Sequence, residues 1–171
     1  MAKLRRWCAY RKVERPYTRY SNRRKKAFVK ARPGKKVIKF EMGDLGKSND
    51  FEMKLALITK DAAQIRANAI EAGRIAALRK IESSIGRTGF NMRIEIIPHH
   101  VIRENPLAAG AGADRLSTGM KHSFGKVIAT AARVEEGKVL VTVSVPKTHE
   151  TLAREALKGF SKKLPVRTTI Q

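Results

Sequence analysis

The chain has 171 residues, with 37 lysines and arginines against 15 aspartates and glutamates, for a formal net charge of +22 at neutral pH. A field of that strength selects a polyanion, either nucleic acid or an anionic membrane, and an ordinary soluble enzyme has no use for such self-repulsion. The membrane alternative fails: no run approaches the roughly 20 apolar residues of a span, and no amphipathic stretch carries a broad face of large apolar side chains.

The charge concentrates at the start. Residues 1–36 hold Lys3, Arg5, Arg6, Arg11, Lys12, Arg15, Arg19, Arg23, Arg24, Lys25, Lys26, Lys30, Arg32, Lys35 and Lys36 against Glu14 alone. Self-repulsion and sparse apolar residues predict that this arm does not fold in isolation. Trp7, Tyr10, Tyr17, Tyr20 and Phe28 are interleaved with the cations. That mixture suits RNA, whose unstacked bases lie on rings or guanidinium planes while neighbouring cations hold phosphates. The alternative is a flexible tail with electrostatic affinity only; five aromatics favour ordering on a partner. Cys8 is the single cysteine, so no intrachain disulfide and no cysteine-based zinc cluster is available. The opening MAKLRRWCAY has no secretory hydrophobic region, and a cytosolic protein is expected.

A single domain is expected over residues 37–171, where the 42% hydrophobic content of the chain suffices for a core. Residues 37–42 and 51–58 read as strands, the second alternating at Phe51, Met53, Leu55 and Leu57, with Gly43-Asp44-Leu45-Gly46 turning between them as a wide hairpin. Thr59 is an N-cap candidate for a long helix ending near Ile85 before Gly86. Ile65, Ala69, Ala72, Gly73 and Ala76, with a neighbouring stripe of Ile70, Ala77 and Ile81, give it a face of small residues suited to close packing. Arg66, Arg74, Arg79 and Lys80 are placed toward the solvent or partner side. Phe90, Met92, Ile94 and Ile96 alternate as a strand ending at Pro98.

Residues 101–126, VIRENPLAAGAGADRLSTGMKHSFGK, contain almost nothing that builds a core. They read as a long basic loop, and a loop of that length inside a small domain is usually functional. Gly110, Gly112, Gly119 and Gly125 permit close backbone approach, and Arg103, Arg115, Lys121, His122 and Lys126 supply charge or hydrogen bonds. Residues 127–134 and 138–145 then read as strands of a hairpin turning at Glu135-Glu136-Gly137. Thr148 caps a second helix to about Gly159, with Leu152, Ala156, Leu157 and Phe160 inward, and Leu164-Pro165 introduces a last strand over 166–170. The order indicates α+β: two helices on one face of a mainly antiparallel sheet, with a basic N-terminal arm and a long internal loop.

No catalytic or metal site emerges. GDLGKS at residues 43–48 has two residues between its glycines where a phosphate-binding P-loop needs four, and GMKHSFGKV at 119–127 has five. His99 and His100 are adjacent and point to opposite faces of an extended segment, so that one can be buried while the other faces the loop. Neither stands with His122 or His149 and a patterned carboxylate or thiol in a metal set or a triad. No cofactor, metal or homo-oligomer is expected.

Longer strings carry a family resemblance. Arg93-Ile94 with Pro98, His100-Val101-Ile102-Arg103, Ala111-Gly112-Ala113-Asp114-Arg115-Leu116, Thr118-Gly119-Met120 and Phe124-Gly125-Lys126 resemble a signature of the large-subunit ribosomal protein family called L-sixteen in bacteria and L-ten-e in archaea and eukaryotes. Leu152-Ala153-Arg154-Glu155-Ala156-Leu157 and Lys163-Leu164-Pro165-Val166-Arg167-Thr168 are similar to the family's ending, and Arg15-Pro16-Tyr17 to its basic N-terminus more loosely. The lone Cys8 and the stop at Gln171 favour the archaeal type, and Pro98-His99-His100 differs by one aromatic from the eukaryotic Pro-Phe-His.

The resemblance implies an α/β-hammerhead-like fold, a seat on large-subunit rRNA beside neighbouring ribosomal proteins, and an internal loop over residues 103–126 reaching toward the tRNA acceptor end. With it, the RNA-binding set is Arg5, Arg6, Trp7, Arg11, Lys12, Arg15, Tyr17, Arg19, Arg23, Arg24, Lys25, Lys26, Arg93 and His100. The tRNA-proximal set is Arg103, Gly110, Gly112, Arg115, Gly119, Lys121, His122 and Lys126. The function expected is that of a structural constituent of the large subunit in translation, the rival being a free-standing RNA-binding or RNA-chaperone module.

Overall fold

The structure, a computed structural model, describes residues 8–11, 33–34, 36–46, 50–104 and 126–171. In chain order the elements are α1 (Cys8–Arg11), β1 (Glu41–Gly43), β2 (Met53–Thr59), β3 (Ala63–Arg66), α2 (Ala67–Ile85), β4 (Asn91–Ile94), β5 (His100–Glu104), β6 (Lys126–Val134), β7 (Val139–Val145), α3 (Glu150–Ser161) and β8 (Thr168–Ile170). The α+β class is as expected, and the described strand pairs are all antiparallel. The strands form two sheets, a large one in the order β1-β4-β7-β2-β8 and a small one in the order β3-β6-β5.

The core follows from strand alternation. Met42, Met92, Val143 and Leu55 are successive cross-strand partners in the large sheet, and Ile94, Val141 and Leu57 form the next row; all of these side chains are buried. The helices pack on each other, with α3 against β2, β7 and β8 and α2 against β3 and β6. Their contact is close because Gly73 of α2 faces the ring of Phe160 on α3: a Cβ there would stand 3.0 Å from three ring carbons. The helix α2 ends where expected, Gly86 N–H bonding to the Glu82 carbonyl at 3.1 Å.

Three expectations are overturned. The first strand does not form a hairpin with the second; β1 pairs with β4, while β2 lies between β7 and β8. The long helix begins at Ala67 rather than beside Thr59, because residues 63–66 are strand β3, paired with residues 131–134 of β6. Thr59 still organises a turn: its hydroxyl donates to the Asp61 carbonyl at 2.9 Å and accepts the Asp61 N–H at 3.3 Å. Asp61 in turn accepts Arg167 Nη2 at 2.7 Å and the Arg167 backbone N–H at 3.0 Å, which ties this corner to the approach to β8. The expected 127–145 hairpin is also absent, since β6 belongs to the small sheet and β7 to the large one. Glu135-Glu136-Gly137 is the crossover between them: Gly137, at φ +76°, donates to the Thr59 carbonyl at 2.9 Å, and Thr59 donates to the Lys138 carbonyl at 3.0 Å.

Two smaller differences concern charge and loop. Arg74, expected near solvent, is buried on α2, where its Nη2 and Nε meet the Glu71 carboxylate at 2.6 and 2.9 Å. The long loop starts later than residue 101, because His100–Glu104 form β5 and run antiparallel to β6.

Candidate nucleic-acid interface

The small sheet has two unlike faces. Alternation along β3 and the β3–β6 register send Ala63, Ile65, Ala132 and Val134 to the core. The same register puts Gln64, Arg66, Ala131 and Arg133 on the outer face, and pairing of β5 with β6 adds His100, Ile102 and Ala129. Tyr10 of α1 packs onto this face against Ile102 and Ala131 and is 7% exposed. The short helix is therefore docked by its one aromatic ring, and it carries Arg11 to the edge of the sheet.

The cations gather there. A cleft of about 320 Å³ is lined by Arg11, Gln64, Arg133 and Lys138 over Ala62, Ala63 and Val134, with Glu135 the one carboxylate among its described residues. His100 lies directly across Ala131 from Arg66 and is buried. Desolvation, and secondarily the charge of Arg133, lowers its pKa, so at neutral pH the imidazole is uncharged. His99, its neighbour, is exposed, as the alternation required. At the far end of the same two strands Arg103 pairs with Val127 and Glu104 with Lys126, where residues 105–125 leave and rejoin the sheet.

Among the expected contact residues, the structure brings Arg11, His100, Arg103 and Lys126 onto this one pair of strands and the helix above it. Arg93 is elsewhere. It lies on the exposed side of the large sheet with Nε 3.4 Å from both Glu41 and Glu95, so two carboxylates already match its charge. Arg5, Arg6, Trp7, Lys12, Arg15, Tyr17, Arg19, Arg23, Arg24, Lys25, Lys26, Gly110, Gly112, Arg115, Gly119, Lys121 and His122 lie outside the described residues. Sequence reasoning missed Gln64, Arg133 and Lys138, and it placed Arg66 on the solvent or partner side of the helix where the structure has it buried at the end of β3. The available signal was the Ala-Ala-Arg-Val run at 131–134, which a short alternating partner such as 63–66 matches.

The GDLGKS segment is structural where it is described. Asp44 Oδ1 accepts the Gly46 N–H at 3.1 Å, the Asp44 N–H bonds to the Phe90 carbonyl at 2.8 Å, and Asn91 Nδ2 donates to the Asp44 carbonyl at 3.0 Å. That is a self-contained turn closing β1 onto β4. Among the described residues no group of three or more histidine, cysteine, aspartate or glutamate side chains is placed to hold a metal ion, and no helix is long and apolar enough to cross a membrane.

A face of arginines, a neutral histidine and a docked tyrosine is chemistry for phosphates and bases. Comparison with known proteins identifies the family. The sequence profile described as ribosomal protein L16p/L10e matches residues 15–171. The chain belongs to this family. Several archaeal relatives named large ribosomal subunit protein uL16 share most of its length. The Archaeoglobus fulgidus protein is 41% identical over 161 residues, covering 94% of this chain and 88% of its own. The Methanococcus maripaludis protein is 44% identical over 157 residues, covering 91% and 86%. The Metallosphaera sedula protein is 46% identical over 148 residues, covering 85% and 83%. The L16p/L10e match spans every described β-strand and both long helices, α2 and α3, and starts after α1.

Proposed function

We propose that the protein is a non-catalytic constituent of the large ribosomal subunit, holding large-subunit rRNA and lying beside neighbouring ribosomal proteins. The observation that carries this is the family match over residues 15–171 on a chain of net charge +22. In this reading residues 1–36 neutralise rRNA phosphates, the two-sheet body of residues 37–171 docks as a unit, and the outer face of the small sheet is part of its RNA contact. Residues 103–126 contribute to the surface that receives the tRNA acceptor end. The cationic cleft lined by Arg11 and Arg133 and the exit of residues 105–125 from the β5–β6 ladder support that division of labour. Arg93, flanked by two carboxylates, is left out of the RNA set.

Sucrose-gradient fractionation of native lysate, before and after a high-salt wash, tests it. An integral constituent comigrates with the large subunit after the wash. Recovery at the top of the gradient refutes the reading and leaves a free-standing RNA-binding or chaperone module.

A further inference from the structure

The entry to α2 is electrostatically incomplete. Its N-cap residue is Arg66, in an extended conformation (φ −67°, ψ 143°), with no side-chain cap and no acidic residue in the first turn. An α-helix leaves its first amides without intrahelical partners and concentrates partial positive charge there, so a cationic N-cap residue is the least favourable choice for the position. Arg66 is also only 9% exposed, and among the described residues its Nε and Nη1 have no hydrogen-bond partner. Arginine does not shed its proton to escape burial, so this guanidinium keeps its charge with the one N–H of Nε and the two of Nη1 unmet among the described residues. Buried donors are nearly always paired, and an exception that persists marks a function or a missing ligand.

These are two separate deficits at one place, and both are for negative charge. The guanidinium is anchored on the residue whose carbonyl begins the helix, so its donors and the amides of Ala67, Asn68 and Ala69 share one neighbourhood. Asn68 is exposed while Arg66 and Ala67 beside it are buried, so a surface ligand reaches the helix entry from the Asn68 side. The same face carries Gln64 and, opposite it, Arg133, while the row through Arg66 continues over Ala131 to His100. A carboxylate from another protein would answer the charge, but a tetrahedral phosphate offers more acceptor directions to a planar guanidinium and a ring of amides.

We propose that Arg66 and the uncapped N-terminus of α2 form a phosphate seat that takes one phosphodiester group of the RNA. This rests on the RNA-binding reading above and deepens it by naming a contact site that belongs to the folded body rather than to the arm or the loop.

The seat makes opposite demands on the free and bound protein, which separates it from a structural arginine. In the free full-length chain Arg66→Met removes a buried charge without a partner, so Tm holds or rises. Titration with deproteinised large-subunit RNA over roughly 50 to 200 mM KCl then shows binding about 10- to 100-fold weaker, with a salt slope shallower by about one. Arg66→Lys keeps the slope and loses part of the affinity. Wild-type Tm rises in phosphate relative to chloride at equal ionic strength, and Arg66→Met lacks that rise.

Unchanged RNA affinity and slope in Arg66→Met overturn the seat, as does a large fall in its Tm in the absence of RNA. A phosphate-dependent Tm with unchanged RNA binding overturns the RNA assignment and leaves a site for free anions. If wild type binds large-subunit RNA no better than an unrelated transcript of equal length, the RNA-binding reading itself fails, a result distinct from loss confined to position 66.

Discussion

Replacing Gly43 with alanine tests how β1 is held. Gly43 closes β1 opposite Asn91 at φ +92°, and a Cβ built there would stand 2.1 Å from the Phe90 carbonyl oxygen. That oxygen also accepts the Asp44 N–H at 2.8 Å, so it has no easy direction in which to move. The left-handed backbone costs an alanine about 1–2 kcal/mol. Overpacking against a fixed backbone atom adds about 1–3 kcal/mol, and the weakened Asp44 bond about 0.5–1.5 kcal/mol. The expected loss is therefore roughly 2.5–6.5 kcal/mol, toward the low end if β1 peels from β4 to relieve it. Gly137 is the control: at φ +76° with nothing within 4 Å of a Cβ, Gly137→Ala carries only the strain, about 1–2 kcal/mol. Urea unfolding of both variants by circular dichroism at fixed salt measures the difference. Two alanines within about 0.5 kcal/mol of each other would refute the reasoning, because the clash would then contribute nothing.

Glu71→Ala leaves Arg74, with its side chain 10% exposed, without its carboxylate, and thermal unfolding should show a loss of roughly 2–4 kcal/mol. Adding Arg74→Met should recover most of it. Asp61 has a pKa lowered from 3.8 to about 2, first by the Arg167 side-chain hydrogen bond. A depressed carboxylate stabilises the fold above its ordinary pKa and ceases to do so as pH falls through the folded value. The urea midpoints of wild type and Asp61→Asn should therefore differ at neutral pH and converge between about pH 4 and pH 2. If residues 1–36 hold about six phosphates, RNA affinity should fall roughly 10³-fold from 50 to 200 mM salt, and filter binding of the chain with and without them should isolate that share. Gly112→Val should impair translation by large subunits more than it impairs folding; normal translation at normal occupancy refutes the assignment of residues 103–126.

The α+β class and most elements were legible because their apolar periods are clean. Leu55 and Leu57 alternate into the core with Met53 half-buried against it, Phe90 to Ile96 do the same, and Ala156, Leu157 and Phe160 mark the inner face of α3. Pairing was not legible. Nearness in sequence favours hairpins between 37–42 and 51–58 and between 127–134 and 138–145, yet the actual partners lie tens of residues away and are selected by shared burial. β3 escaped because four residues are too few to distinguish a strand period from a helical one, and Thr59 makes its turn in either case. Of the site, the cationic chemistry was readable but not the face that carries it. Arg66 and Arg133 come onto the face that Tyr10 packs against only once β3 and β6 have paired. The Glu71–Arg74 spacing of three was in plain view and allowed an ion pair on one helix face, but spacing does not reveal that the pair is buried.

The rung at which residues 105–125 depart has an evolutionary consequence. Glu104 and Lys126 are cross-strand partners, so the segment starts and finishes one ladder spacing apart. Doubling the length of a connecting segment adds only about 0.6 kcal/mol to the cost of joining its ends. Insertions, deletions and wholesale rewriting between those two residues are thus almost free for the scaffold, while the ladder beneath keeps every variant aimed from the same spot. A lineage can revise what this protein carries between Glu104 and Lys126 without renegotiating how the body is built.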